Sequence, residues 1–185
     1  MIDDILLEAE EKMEKAIAVA REDFATLRTG RVNPAMFSKI VVDYYGAPTP
    51  LNQLASFHAA DARMMLITPF DRNSINSVEK AIRDSDLGVN PATDGNVVRV
   101  VLPQLTEERR KEYIKVARHK AEEARVSIRN IRRQAKEALE KMKKDGEVGE
   151  DDVKRALTHL ESATHEQVEH VDEILKHKEE ELLEV

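Results

Sequence analysis

The sequence predicts an α+β protein, a three-helix bundle with a small β/α/β sandwich domain inserted into it. Two observations carry that expectation. The first is where the backbone-breaking residues fall in the 185-residue chain. Residues 1–29 contain neither Gly nor Pro, whereas Gly30, Gly46, Gly88, Gly95 and all six prolines (34, 48, 50, 69, 91, 103) lie between 30 and 103. Such residues punctuate turns and short strands, and long helices exclude them. The second is periodicity. On both sides of the Gly/Pro-rich stretch, apolar residues recur at steps of three and four, which places them in one stripe on one helix face.

The first flank has Ile2, Leu6, Ala9, Met13, Ala16, Ala20, Phe24 and Leu27, predicting a helix over about 2–28. Within the insert, residues 40–45 are β-rich and run into a predicted turn at Gly46-Ala47-Pro48-Thr49-Pro50. Residues 51–57 and 64–68 are further strand candidates, while 57–62 is poorly β-like. Ile75, Val78 and Ile82 predict a helix over 74–84, with Gly88 as its C-terminal cap. Asp94-Gly95 predicts a turn before a final strand over 97–102.

Residues 106–144 form the second helix of the expected bundle. Ile114, Ala117, Ala121, Ala124, Ile128, Ile131, Ala135, Ala138 and Met142 make an unbroken heptad seam. At ~1.5 Å per residue the helix would be about 57 Å long. Thr106, followed by Glu107 and Glu108, reads as its N-cap with acids favoured by the helix dipole. The third helix is expected over 150–183, from Val153, Leu157, Leu160, Val168, Val171, Leu175 and Leu182, with a break in register near Thr164. Both chain crossings leave one end of the bundle, so the expected domains are 1–30 with 106–185, and 31–105. Hinges are expected near 30–34 and 103–106, at Gly30, Arg31, Pro34, Pro103, Gln104 and Leu105.

Charge is distributed against the chain average. The whole sequence carries −7, yet residues 106–144 hold fourteen Lys and Arg against seven Asp and Glu, a net of +7. Residues 145–185 hold four basic and fourteen acidic residues, a net of −10. With Ile114 at heptad position a, Arg118, Arg125 and Arg132 all fall at e, Arg129 and Lys136 at b, and Arg133 at f. A row of guanidinium forks on a rigid helix suits phosphate oxygens. The alternative is a solvated helix face with i,i+4 ion pairs.

Other chemistry is missing from the sequence. No cysteine is present, which leaves no disulfide, thiolate metal site or cysteine nucleophile. His165 and His170 are five apart rather than the i,i+4 that a zincin-type site needs, so no metal is expected. The remaining histidines (58, 119, 159, 177) are expected at the surface, and Tyr44-Tyr45 in core packing. No Gly-x-x-x-x-Gly-Lys loop or recognisable catalytic setting occurs, which predicts neither an enzyme nor a bound cofactor. Aromatics are 4% of the chain without Trp, which argues against base stacking. The mean hydropathy is −0.52 and the N-terminus enters a helical pattern at once, predicting a soluble cytoplasmic monomer without a membrane partner.

Several runs are similar to the bacterial ribosome recycling factor family: Thr26-Leu27-Arg28-Thr29-Gly30-Arg31-Val32-Asn33-Pro34, Asp43-Tyr44-Tyr45-Gly46, Leu51-Asn52-Gln53-Leu54-Ala55-Ser56, Ser85-Asp86-Leu87-Gly88-Val89-Asn90-Pro91, Leu105-Thr106-Glu107-Glu108-Arg109-Arg110 and Val126-Ser127-Ile128-Arg129-Asn130-Ile131-Arg132-Arg133. The resemblance implies a tRNA-shaped translation factor that binds the post-termination ribosome. Its bundle would lie on large-subunit ribosomal RNA, and elongation factor G, hydrolysing GTP, would act on the small hinged domain to split the subunits. It also implies that Arg110, Arg129 and Arg132 contact that RNA. A coiled-coil adaptor or RNA chaperone, recruiting a protein through the acidic third helix, is the competing reading.

Overall fold

The computed structural model describes residues 1–184, so Val185, at the end of the expected bundle, lies outside the described residues. The chain forms two compact units, Met1–Phe24 with Lys115–Glu179, and Ala25–Ile114 with Glu180–Val185.

Three helices build the first unit: α1 (Ile2–Ala25), and most of α3 (Glu107–Lys144) and α4 (Glu150–Leu183). The α1 stripe buries Ala9, Met13, Ile17, Ala20 and Phe24. The helix stops at Ala25, short of the expected residue 28, where Arg28 and Thr29 turn inward instead.

In α3 the seam drifts. Ala117, Ala121, Ala124 and Ile128 are buried in its first half, but Ile131 and Ala138 are only half-buried, and Leu139 at an e position is fully buried. A straight helix turns by ~20° per heptad relative to a strict 3.5-residue repeat, so its core face migrates. Thr106 caps the helix as expected, its hydroxyl accepting from the Arg109 N–H at 3.1 Å. The other end closes by a Schellman motif absent from the sequence expectations. Gly146 sits at φ 73°, its N–H bonds the Lys143 carbonyl, and the Glu147 N–H bonds that of Met142.

The register break in α4 is filled by Thr164 itself. This residue is buried among apolar neighbours on the seam, and its hydroxyl donates to the Leu160 carbonyl at 2.7 Å, so no polar group is stranded.

In the second unit, β3 (Ala55–Asp61), β4 (Met64–Pro69), β5 (Ala92–Asp94) and β6 (Val97–Val101) form an antiparallel sheet ordered β3-β4-β6-β5. A separate hairpin pairs β1 (Val41–Tyr44) with β2 (Ala47–Pro50). Helix α2 (Ile75–Arg83) covers them with Val78 and Ile82, against Met65 and Ile67 of β4 and Val98 and Val100 of β6. Phe37 and Phe57 stack with centroids 5.8 Å apart.

Three local expectations need correction. Residues 47–50 are strand, not turn: the bend is Tyr45-Gly46, with φ 51° and 83°, the pattern of a type I′ turn. Pro48 and Pro50 face Asp43 and Val41, pairs that alternate with the hydrogen-bonded ones, so no ladder donor is lost. The poorly β-like stretch extends β3 to Asp61 by a bulge between Ala59 and Asp61. Gly88 lies five residues beyond α2 in a loop at φ 65° and does not cap it.

Candidate nucleic-acid interface

The geometry of α3 sorts its cations into two rows. In the flank row each e-position arginine meets an acid of α4. Arg118 Nε lies 2.7 Å from Glu179, Arg125 Nη2 2.6 Å from Asp172, and Arg132 Nη1 3.2 Å from Glu161. The partners descend in α4 as the arginines ascend in α3, which is the register of antiparallel helices. Arg125 is the most engaged of the three, with Nε also on Asp172 and Nη1 on Glu122 at 3.1 Å. Its side chain is only 19% exposed. Burial alone would lower its pKa, but hydrogen bonds and charge from Asp172 and Glu122 outweigh it and hold the pKa above the ordinary arginine value.

The outer row is looser. Arg129 is 51% exposed and reaches Glu122 only at 3.5 Å, while Arg133 meets Glu137 at 3.6 Å. Lys136 is exposed. Surface pairs of this length contribute ~0–1 kcal/mol, so these heads can be diverted to another anion at little cost. Arg110, in the other unit, is half-buried, and its Nε is buried without a hydrogen-bond partner among the described residues.

The expected hinge residues all lie in the second unit. Gly30 is half-buried with ordinary negative-side backbone, and an added Cβ would meet only the Glu184 carbonyl oxygen at 3.6 Å. Arg31, Pro34, Pro103 and Gln104 are exposed, and Leu105 is buried. Pro34 opens a short 3-10 turn capped by the Asn33 side chain, which accepts from the Ala35 N–H at 2.8 Å.

Sequence reasoning missed the residue that joins these strands of chain. Arg28 is 5% exposed, and its guanidinium donates to the Pro103 carbonyl and, at 3.4 Å, to the Leu87 carbonyl. It meets backbone oxygens 59 and 75 residues away, which no local spacing reveals.

The tyrosine pair is a second departure. Tyr45 is 74% exposed rather than core, and Tyr44 is half-buried. Both hydroxyls donate to Asp71 Oδ2, at 3.1 Å from Tyr44 and 2.8 Å from Tyr45. The Asn73 backbone N–H and these phenols hold the Asp71 pKa below the ordinary carboxylate value, and the hydrogen bonds to Asp71, with burial and its charge, raise both phenols above theirs. The four histidines expected at the surface are exposed. His165 pairs with Glu169 at 3.0 Å, and among the described residues no group of three or more His, Asp or Glu could hold a metal ion. None of the described helices is long and apolar enough to cross a membrane.

Comparison with known proteins places this arrangement. The sequence model of the ribosome recycling factor family matches residues 20–183. Ribosome-recycling factors from Acidothermus cellulolyticus, Kineococcus radiotolerans and Streptomyces coelicolor are 71%, 68% and 64% identical over all 185 residues, covering the whole of both chains. Among solved structures, a ribosome recycling factor in solution matches with TM-score 0.78 and 38% identity, over 100% of this chain and 98% of that one. The Thermus thermophilus factor, described with Escherichia coli elongation factor G on the E. coli post-termination complex, matches with TM-score 0.70 and 42% identity over the whole of both chains.

Proposed function

Because the chain belongs to the ribosome recycling factor family, we propose that it binds the post-termination ribosome and, with elongation factor G, releases mRNA and splits the subunits. GTP hydrolysis is the partner's; this chain contributes binding and geometry. The observation that carries the reading is the outer row of α3. Arg129, Arg133 and Lys136 stand exposed along a rigid helix, with ion pairs of 3.5 Å or longer on the two arginines. Cations so placed can lie against large-subunit RNA phosphates without reading base sequence. Arg132, held from one side by Glu161, extends the same contact.

In this reading the inserted domain over 31–105 is what elongation factor G acts on, and the chain near Gly30, Arg31, Pro34, Pro103, Gln104 and Leu105 absorbs the motion. Arg28 makes the two crossings respond together, since its guanidinium holds Pro103 from the strand of chain that leaves α1. Gly30→Pro stiffens the pivot, and is expected to spare ribosome binding while slowing subunit splitting.

The direct test is breakdown of purified post-termination polysomes by this protein with elongation factor G and GTP. Release that needs all three components supports the reading. Ribosome binding without release, with a translocase from the same organism, contradicts it and favours the adaptor alternative.

A further inference from the structure

We propose that Glu161, Asp172 and Glu179 of α4 are specificity-determining residues. They mask the flank arginines from unselected RNA and yield them only to a rigid RNA surface that engages the whole row. This rests on the reading of α3 as the RNA-facing helix.

The argument begins with charge. Each e-position arginine is neutralised within 3.2 Å by one of the three acids, so a phosphate approaching the flank meets a guanidinium and a carboxylate together. Pairs at this distance cancel most of each other's field beyond one Debye length, ~8–10 Å at physiological salt. A flexible or randomly oriented RNA therefore feels chiefly the outer row.

The geometry also leaves the pairs openable. Arg118 and Arg132 are each held by a single nitrogen, Nε in one and Nη1 in the other, so part of each fork remains available to a second acceptor. Arg125 is held by three nitrogens and acts as the crosslink that keeps the helices in register. The fourteen residue steps from Arg118 to Arg132 span about 21 Å along the axis. Only a surface that presents phosphates over that length can engage both openable pairs at once, and folded RNA does so without a further ordering cost.

The test compares two variants that make the same change in charge. E161Q/D172N/E179Q releases the three arginines. D151N/E166Q/E173Q removes three exposed α4 acids that carry no arginine pair among the described residues. Binding to an unrelated, flexible single-stranded RNA of about 20 nucleotides is followed by fluorescence anisotropy through a salt series. The releasing variant is expected to bind at least about tenfold tighter near 0.1 M salt, with a log-log slope steeper by about two to three. The control variant is expected to gain less than about threefold. Equal gains in both would reduce the effect to net charge and overturn the proposal, as would no gain in either. If Asp172→Asn lowers the melting temperature by exposing Arg125 unpaired, E161Q/E179Q carries the same comparison with two arginines. R129A/R133A/K136A, assayed on ribosomes, tests the parent reading separately. Unchanged ribosome affinity there refutes the RNA-facing role of α3, whereas failure of the releasing variant refutes only the mask.

Discussion

The helical unit and the sheet-containing unit use arginine in opposite ways. Along α3, guanidinium groups meet carboxylates at the surface, where water supports both partners and the outer row stays half-exposed or more. Arg28 of the second unit is buried, donates to two backbone carbonyls, and keeps a buried Nε with no hydrogen-bond partner among the described residues. The difference teaches where each charge does its work. A surface arginine adds little to the fold and is free to serve a partner, whereas a buried one is part of the fold and costs stability when removed.

The sharpest way to test that contrast is Arg28→Ala. It leaves the Leu87 carbonyl without its donor in a buried setting and the Pro103 carbonyl without its donor in a part-buried one, and should cost roughly 2–4 kcal/mol. The loss should appear as a lower melting temperature in denaturant or heat. A change under 0.5 kcal/mol would mean that water replaces the guanidinium and that the crossings are not pinned by it. Thr106→Ala is next. Removing the N-cap oxygen of α3 should cost about 1 kcal/mol, read in the same melts. Arg132→Ala should cost under about 1 kcal/mol, because it removes one exposed pair to Glu161, while weakening ribosome binding. Equal loss of helicity and of binding would erase the distinction between the two uses.

The smallest effect is a matter of pH. Asp71 has its pKa lowered by the Asn73 N–H and the two phenols, so its stabilisation is present above the ordinary value of about 4 and is lost as pH falls through the lower folded value. Tyr44 and Tyr45 have theirs raised, so their contribution is present below about 10 and lost as pH climbs through the folded values. In a phenolate absorbance titration, Asp71→Asn should bring two of the three tyrosines back toward about 10. An unchanged titration curve would show that Asp71 does not hold the hairpin.

Much of this fold is readable from residue spacing, because long helices are fixed by local periodicity. The apolar stripes locate α1, α3 and α4, and Thr106 marks its cap. Where contacts come from far along the chain, spacing is silent. Prolines at 48 and 50 suggest a turn until their register against Val41 and Asp43 shows that neither is asked for a ladder hydrogen bond. Thr164 looks like a break because hydropathy does not register a hydroxyl that bonds its own helix. The candidate site divides the same way. The arginine positions are legible as a heptad pattern on one helix. Their division into a masked row and an open row depends on Glu161, Asp172 and Glu179, which lie 29 to 61 residues further on.

The most direct test of the central claim is the salt dependence of ribosome binding by the wild-type chain and by R129A/R133A/K136A. Three fewer phosphate contacts should lower affinity at least about tenfold and flatten the log-log salt slope by about two to three, with the melting temperature unchanged. The same affinity and slope in both proteins would contradict it, and would move ribosome binding away from the open face of α3.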